Sequence, residues 1–377
     1  MNTLESGLNL EERTLWRRLD LNLIMVVFAL NVVGLVNLFS ATHGPTQVGT
    51  DGLFINQIIW LIAGWSVFGI LTVVDYSLLK KLAPIVYILN FVALIYVMFF
   101  GKIALGAQRW IDLGFFRYQP SETMKLALIL LLARVLASRP TLGGGMGFKE
   151  LLLPLLLILI PFVVIAEQPD LGTAMTLALV GATMIFFVRV KKVIMIGAAV
   201  IALAGAVFSW HFLLHDYQKH RVITFLDPGI DPRGKGYNSI QSKIAVGSGK
   251  LFGKGFRRGT QAQLEFLPER HTDFIFSVLS EEHGFVGSVL TITLFGLLFV
   301  FMLRVAANSR DKFGALLVVG VFAYVFWHMA INIGMVIGLL PIVGVPLPLL
   351  SYGGSGMLTT MAGLGIVSGV AFKRFLF

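Results

Sequence analysis

The sequence predicts an all-α polytopic membrane protein, with about ten transmembrane helices and a large extracytoplasmic loop between the seventh and eighth. Hydrophobic residues make up 56% of the 377 residues and charged residues 13%, whereas a soluble globular chain carries about 25% charged residues. The mean hydropathy is +0.84, and apolar runs of about 20 residues, long enough to cross a bilayer as helix, recur along the chain. Between two of these runs, residues 215–272 are polar and define the large loop.

Ten apolar segments predict the spans, and the chain 1–377 is interpreted as a single membrane domain. The first span follows a polar segment, 1–19, without a small-residue cleavage site, so we expect a retained anchor rather than a cleaved signal peptide. The predicted spans cover 20–40, 54–74, 84–100, 120–137, 151–165, 171–188, 193–214, 274–303, 313–339 and 357–371.

The distribution of Lys and Arg predicts the orientation. The connections after the second, fourth, sixth and eighth spans and the C-terminal tail are basic, whereas the short loops around Asp51, Glu167 and Pro346 carry no Lys or Arg. Because short cytoplasmic loops are enriched in these residues, both termini are expected to be cytoplasmic, with loop 215–272 outside. The loop after the third span, which contains Arg109, is an exception to this pattern.

Composition also limits the functional classes. The chain has no cysteine, which excludes disulfides, zinc–thiolate sites and thiol nucleophiles, and its histidines show no convincing metal-ligand spacing. The formal net charge of +10 comes from basic residues in positions that membrane topology favours. We therefore expect membrane lipids, and no nucleic acid, among its partners.

Three features mark the large loop. Turn-forming residues are concentrated at 227–234. Apolar residues at helical spacing across 237–246 then predict a short amphipathic helix at the membrane surface. The glycine-rich segment 247–255 misses the phosphate-loop spacing, so a flexible loop is favoured, although its amides and lysines leave phosphate binding open.

Asp273 is the strongest functional candidate, because a carboxylate at the mouth of a membrane span is energetically expensive. A helix cap is the alternative, since Asp is favoured at helix N-termini. A catalytic pair of carboxylates would need Glu269 or Glu281 as the partner. A polar stripe shares the same face of the expected helix: Ser277, Ser280 and Gly284.

Further candidates lie in three other places. Glu122 and Lys125 are one turn apart in the fourth span and predict an ion pair that faces a polar cavity or is structural. Trp110 is by default an interfacial anchor, and Asp170 is a plausible helix N-cap on the same outer side. The last external loop, 346–356, is rich in proline and hydroxyl residues, and such backbone at membrane depth lies inside protein or lines a watery cavity.

Several motifs resemble the SEDS family (shape, elongation, division and sporulation), and the resemblance extends over nearly the full chain. The run 259–274 is most similar to the rod-elongation branch, because Arg270 stands where the division branch is expected to have Ala. The other motifs are Gly-Ala-Gln-Arg-Trp-Ile at 106–111, Gln-Pro-Ser-Glu at 119–122 with Lys125, Gln-Pro-Asp-Leu-Gly-Thr at 168–173 and Ser-Tyr-Gly-Gly-Ser at 351–355.

The resemblance implies a peptidoglycan glycosyltransferase that polymerises lipid II into glycan strands during cell elongation. It implies a place in the bacterial cytoplasmic membrane, an active site on the extracytoplasmic face, and a class B penicillin-binding protein, a transpeptidase, as the partner. It also makes Asp273 the essential acidic residue of the loop. The expected substrate-binding residues are Trp110, Glu122, Lys125, Asp170, Glu269, Arg270, Ser351 and Ser355.

The expected chemistry is a single displacement that inverts the anomeric carbon, with Asp273 as the general base for the acceptor hydroxyl. Lys125, Arg270 or a divalent cation such as Mg²⁺ or Mn²⁺, with ligands unassigned, would neutralise the departing diphosphate. Two alternatives stay open: a lipid II flippase, and a non-catalytic scaffold for a transpeptidase.

Overall fold

The computed structural model describes residues 19–43, 51–104, 107–114, 116–139, 145–212, 216–231, 234–264 and 266–373. Within these residues, the helices of 17 residues or more match the ten predicted spans in number and order. They are α1 (Leu21–Thr42), α2 (Asp51–Val73), α3 (Tyr76–Phe100), α4 (Pro120–Ala137), α5 (Phe148–Glu167), α6 (Leu171–Phe187), α7 (Lys192–Phe212), α11 (Ile275–Ala307), α12 (Lys312–Val336) and α13 (Gly354–Lys373). The shorter helices of the loop are α8 (Asp216–Leu226), α9 (Lys235–Ser248) and α10 (Thr260–Gln263).

In the described part of the chain, seven helices are long and apolar enough to cross a membrane: α1, α2, α3, α5, α11, α12 and α13. α4 carries Glu122, Lys125 and Arg134 within its 18 residues, and α6 is apolar but has only 17. The chain is therefore a mostly helical integral membrane protein. Membrane crossing by the remaining long helices, and the external position of the loop, stay predictions. Residues 1–18 of the predicted N-terminal segment lie outside the described residues.

Most helix boundaries differ from those predicted, and two of the differences have a clear local reason. α3 begins well before the predicted start at Pro84, because Asp75 caps its first turn by accepting a hydrogen bond from the Ser77 amide at 2.9 Å. Pro84 consequently lies inside the helix. α12 ends at Val336 rather than at 339, because Gly338 has a left-handed φ of +79° that stops the helix.

A small antiparallel sheet between α3 and α4 departs from the predicted all-α class. Its strands are β1 (Lys102–Ala104), β2 (Ala107–Asp112) and β3 (Arg117–Tyr118), in that order. Lys102 and Asp112 form an ion pair between β1 and β2, and this bond together with the Gly114 amide lowers the pKa of the Asp112 carboxyl. The basic residues that broke the predicted charge pattern thus belong to a folded hairpin.

Glycines allow the long helices and the last loop to pack closely. On α13, a Cβ at Gly365 or Gly369 would come within 2.8 Å of a backbone oxygen of α2. This four-residue spacing of small residues lets membrane helices approach one another. On α1, Gly34 leaves room for the backbone at Leu349, whose oxygen would lie 2.5 Å from a Cβ. The non-helical segment 337–353 is therefore packed directly on α1.

The predicted amphipathic helix is present as α9, which packs on α11 and α12. Its buried face is small and polar. At the centre of that face, Ser242 Oγ donates a hydrogen bond to the carbonyl of Val336 at 2.7 Å and lies 2.9 Å from Ser277 Oγ. Ile240 and Ile244 are exposed on α9. The contact of this helix with a membrane surface stays a prediction.

α11 is broken at Gly284, where φ is +65° and ψ is −160°. The glycine-rich segment 247–255 fills the break and pairs its backbone with that of α11. We call this contact the helix-break junction. Segment 247–255 supplies hydrogen-bond partners for backbone amides and carbonyls that the break in α11 leaves unpaired. The prediction of a flexible loop at 247–255 is therefore wrong. Its bonds, all 2.8–3.0 Å long, run from Lys254 N to Glu281 O, from Gly255 N to Glu282 O, from Phe285 N to Lys250 O and from Val286 N to Leu251 O.

Glycine is required at the helix-break junction because the two backbones nearly touch. A Cβ on Gly249 would lie 2.0 Å from the carbonyl oxygen of Ser280, and one on Gly253 would lie 2.0 Å from that of Glu282. Gly253 also has a φ of +80°, which residues with a Cβ rarely adopt. Gly249 and Gly253 thus serve the close contact between the two backbones.

We expect Gly253→Ala to destabilise the protein by about 2 kcal/mol, because the added Cβ meets a backbone oxygen and the φ is strained. Thermal unfolding in detergent measures the loss, and limited proteolysis reports access to residues 247–255. Gly247→Ala is the matched control, because nothing lies within 4 Å of its Cβ position and alanine favours the helix there. Equal melting temperatures for the two variants would contradict the role of the junction.

Candidate active site

Asp273 lies at the end of the loop, just before α11 begins. Its carbonyl accepts a hydrogen bond from the side-chain amide of Asn332 at 2.8 Å, and the same amide donates to the carbonyl of Val345 at 2.8 Å. The residue is half-buried, and a Cβ on Gly344 would come within 3.2 Å of its Oδ2. Asn332 of α12 therefore fixes the acidic residue beside the segment 337–353.

The helix-cap interpretation of Asp273 is not supported, because Phe274 holds the N-cap position of α11. The predicted polar stripe is present and is used for packing. Ser277 Oγ contacts Ser242 of α9 at 2.9 Å, and Ser280 Oγ accepts a bond from a serine further along α11 at 2.9 Å. The stripe thus joins the loop to α11 next to the acidic residue.

Of the two possible carboxylate partners, Glu281 is engaged elsewhere. Its side chain is fully buried and accepts hydrogen bonds from Lys254 Nζ at 2.6 Å and from Thr260 Oγ1 at 3.1 Å. At 1.5 Å per residue it lies about 12 Å along the helix from Asp273. Glu281 therefore fastens the loop to α11. Glu269, which is half-buried and closer in sequence, stays the open candidate.

The predicted ion pair of α4 is formed and buried. Lys125 Nζ lies 2.8 Å from Glu122 Oε1, and the Lys125 side chain has no exposed surface. Nζ also lies 2.8 Å from His328 Nε2 and 5.2 Å from the ring centroid of Tyr324. A buried ionisable group needs such partners, because losing one leaves the other uncompensated. These contacts hold Lys125 between α4 and α12.

His328 and Asn332 of α12 belong to the site, and the sequence analysis assigned neither of them to it. His328 Nδ1 faces the carbonyl of Pro346 at 3.4 Å, so the ring lies between the ion pair and the last loop. Together with Tyr324, the two residues form a polar stripe at four-residue spacing on an apolar helix. This stripe is the sequence pattern that could have identified the two residues, since polar groups within membrane helices face the protein interior and mark functional sites.

Asp170 has its predicted capping role and a second one. Its Oδ1 accepts a hydrogen bond from the Thr173 amide at 3.3 Å, which caps α6. Its Oδ2 lies 3.6 Å from Arg109 Nη1 and 3.4 Å from the side-chain amide of Gln119. Arg109 also donates to two carbonyls just before α6, so β2 is fastened over the start of that helix. Trp110, the next residue of β2, is half-buried.

Ser351 and Ser355 are almost completely buried and bind backbone groups. Ser351 Oγ donates to the carbonyl of Thr272 at 2.7 Å and accepts from the Leu347 amide at 2.8 Å. Ser355 Oγ accepts from the Gln119 amide at 3.2 Å. Their observed role is to tie the last loop to the residue before Asp273 and to the start of α4, and direct substrate contact stays a prediction.

Arg270 is held against the C-terminal end of α1. The last carbonyls of a helix have no partner within it, and here side chains from the loop satisfy them. The contact of Arg270 with a diphosphate stays a prediction. The hydrogen bonds to the end of α1 run from Gln263 to the carbonyl of Ser40 at 3.2 Å, from Arg270 Nε to that of Ala41 at 3.0 Å and from Arg257 to that of His43 at 2.6 Å.

His271 lies between the acidic end of the loop and the last loop. Its carbonyl accepts a hydrogen bond from the Tyr352 amide at 2.9 Å, and the two rings are 6.0 Å apart. Burial lowers the pKa of His271, the Glu269 carboxylate opposes this shift, and Arg270 adds to it. The neutral imidazole is therefore the form that the folded loop favours.

A metal site built entirely from side chains is not found among the described residues, where no three His, Cys, Asp or Glu groups lie together. Mg²⁺ beside a phosphate needs no such cluster, because one or two carboxylates, substrate oxygens and water complete its shell. Asp273 and Glu269 are carboxylates that suit this arrangement. The divalent cation therefore stays a prediction.

The fold and the site together define an integral membrane protein in which a folded loop presents an acidic residue near a buried Glu–Lys–His cluster. Residues 20–375 match the family model for FtsW, RodA and SpoVE, which is described as a cell cycle protein. The chain belongs to this family. The resemblance predicted from the motifs is thereby confirmed.

Individual relatives agree with this assignment. The Escherichia coli K12 protein named peptidoglycan glycosyltransferase MrdB is 42% identical over 370 residues, which cover 97% of each chain. The Treponema pallidum peptidoglycan glycosyltransferase RodA is 30% identical, with 94% of this chain and 98% of that protein covered.

Solved structures show the same likeness. A chain from a peptidoglycan synthase complex, solved to explain the coordination of polymerization and crosslinking, has a TM-score of 0.80 at 30% identity, covering 95% of this chain and 99% of that one. The rod shape determining protein RodA of Thermus thermophilus has a TM-score of 0.70 at 29% identity, covering 95% of this chain and 98% of that one. The architecture of this chain is therefore that of RodA-type proteins.

The lowered pKa of His271 predicts how stability depends on pH. Because the unfolded state binds the proton more tightly, stability is full above the ordinary histidine pKa of 6.5 and falls as the pH drops below it. We expect the melting temperature in detergent to fall between about pH 7.5 and about pH 5.5, and to fall less in His271→Gln. His220→Gln, at an exposed position of the same loop, should keep the wild-type dependence. An unchanged slope in His271→Gln would refute this explanation.

His328→Leu should destabilise the protein by about 1–3 kcal/mol, because Lys125 loses a buried hydrogen-bond partner. His328→Gln is the control, since its amide oxygen can accept from Lys125 and should recover part of the loss. Chemical or thermal unfolding in detergent measures both. If the two variants lose the same stability, the bond to Lys125 is not what His328 contributes.

Proposed function

We propose that this chain polymerises lipid II into glycan strands by a single displacement that inverts the anomeric carbon, with Asp273 as the general base. The chain is a peptidoglycan glycosyltransferase, as its family and its named relatives indicate. The placement of Asp273 is the observation that supports the mechanism. Asn332 holds its backbone, and its half-buried side chain lies beside Gly344, so the carboxylate has a defined position at the end of the loop.

The reaction class sets what the site must supply. A sugar hydroxyl is a poor nucleophile, and a carboxylate that accepts its proton in the transition state contributes about 10²–10⁴ in rate. The diphosphate of lipid II is already a good leaving group, so it needs positive charge more than a proton. One displacement at an α-linked donor gives a β-linked strand, so a single base at one face of the sugar is sufficient.

Lys125 is the proposed source of that positive charge. Glu122 and His328 fix its ammonium group before substrate arrives, which is the preorganisation that charge stabilisation requires. Because Lys125 has no exposed surface in this conformation, direct contact with a diphosphate requires the segment 337–353 or a neighbouring helix to move. Arg270 and a divalent cation at the carboxylates are the other proposed sources.

The proposed orientation has both termini in the cytoplasm and the site on the extracytoplasmic face, because short basic connections alternate with the loops around Asp51, Glu167 and Pro346, which carry no Lys or Arg. The likeness to a chain from a peptidoglycan synthase complex supports a class B penicillin-binding protein as the partner. Among the described residues, the buried charged side chains all lie towards the proposed outer side: Glu122, Lys125, Asp170, Glu281 and Glu282. This favours polymerisation over lipid II transport, since a flippase needs polar groups across both leaflets.

Asp273→Asn should lower lipid II polymerisation by at least about 10²-fold, because the amide cannot accept the acceptor's proton. The assay uses purified, detergent-solubilised protein with and without the partner transpeptidase. Asp227→Asn is the matched control from the same loop, because Asp227 only caps a short 3₁₀ turn and asparagine can accept the same bond from Gly229.

The outcomes separate the three functions. Formation of glycan strands in detergent supports the polymerase over the flippase and the scaffold, because detergent micelles do not separate two compartments. A fully active, correctly folded Asp273→Asn protein would show that Asp273 is not the base. Equal losses in both variants would point to damage of the loop rather than of the chemistry.

A further inference from the structure

The helix-break junction presents two neighbouring apolar side chains at its surface. Leu251 is 60% exposed and Phe252 is 79% exposed, and we call this pair the tip. Single exposed apolar residues are common, but a fixed adjacent pair needs an explanation. The carbonyl of Leu251 accepts the amide of Val286 at 3.0 Å, so the tip is held against α11.

The exposed residues of α11 indicate the depth of the tip relative to the membrane. The helix before the break, 275–282, is buried in the protein, whereas Phe285 begins a row of exposed apolar side chains that continues to Leu303 and ends before Arg304. From Phe285 to Leu303 the helix rises about 27 Å, close to the hydrocarbon thickness of about 30 Å. The tip is therefore bonded to the helix at the edge of its lipid-facing part.

We propose that Leu251 and Phe252 insert into the lipid leaflet on the side of the loop and anchor the loop there. Lys250 is exposed beside them, where an ammonium would meet lipid phosphates while the apolar pair enters the acyl region. Residues 248–254 also border a shallow, open concavity whose lining is mostly apolar.

Lipid is favoured over a protein partner because the tip is continuous with the exposed apolar row of α11 and combines apolar side chains with a lysine. Anchoring of the tip would also affect the candidate active site. The same junction fixes the buried helix 275–282, so a tip held in lipid holds Asp273 at a constant depth. The proposal rests on the chain being an integral membrane protein and does not depend on the proposed reaction.

The absence of cysteine makes the test direct, because Phe252→Cys creates a single labelling site in the full chain. The variant carries a nitroxide label in nanodiscs of phosphatidylcholine and phosphatidylglycerol, and its accessibility to oxygen is compared with that to a polar nickel chelate. Leu290→Cys, in the exposed row of α11, is the lipid reference, and Arg258→Cys, an exposed cation of the loop, is the water reference.

We expect the oxygen-to-chelate ratio at 252 to exceed that at 258 by about tenfold and to approach that at 290, which lies deeper, because the chelate is excluded from hydrocarbon. Leu251→Cys should give the same result, which guards against a local effect of one label. A ratio at both tip positions equal to that at 258 overturns the proposal. Protection from both reagents also overturns it, because it means that protein, either a second copy or a partner, covers the tip.

Discussion

The backbone pairing at the break in α11 is the interaction on which the rest of the site depends. A helix interrupted at Gly284 leaves amides and carbonyls without helical partners inside the protein, so another segment must satisfy them. Segment 247–255 does so with its own backbone, and only glycines allow that approach. Lys254, in the same segment, also reaches the buried Glu281. The break in α11 thereby holds the large polar loop in place.

The break also decides where the acidic residue lies. Because α11 changes direction at Gly284, its first part stays buried among α1, α9 and α12, and only the second part presents apolar side chains to lipid. Asp273 consequently precedes a helix inside the protein rather than a lipid-facing span, where a carboxylate would be costly. Asn332 and the last loop then determine its position from the other side. The loop, the break and α12 thus form one support for a single carboxylate.

The buried cluster of α4 and α12 has a different physical character. Lys125 binds both Glu122 and His328 within the protein, and loss of one partner would leave an uncompensated polar group. Such a cluster fixes the geometry of neighbouring elements, including the carbonyl of Pro346 in the last loop. The same burial leaves the Lys125 ammonium without exposed surface. In this conformation the Lys125 side chain therefore has no direct access to a ligand.

Sequence alone determined the elements whose signal is local. Hydropathy predicted the long helices, four-residue periodicity predicted α9, and one-turn spacing predicted the Glu122–Lys125 pair, because each depends on residues close together in the chain. The strands at 102–118 were too short for a periodic signal. His328 and the junction of Gly253 with Gly284 were decided by the tertiary structure. Periodicity shows which face of an element is polar, but only the packing of distant segments selects the partner that the face meets.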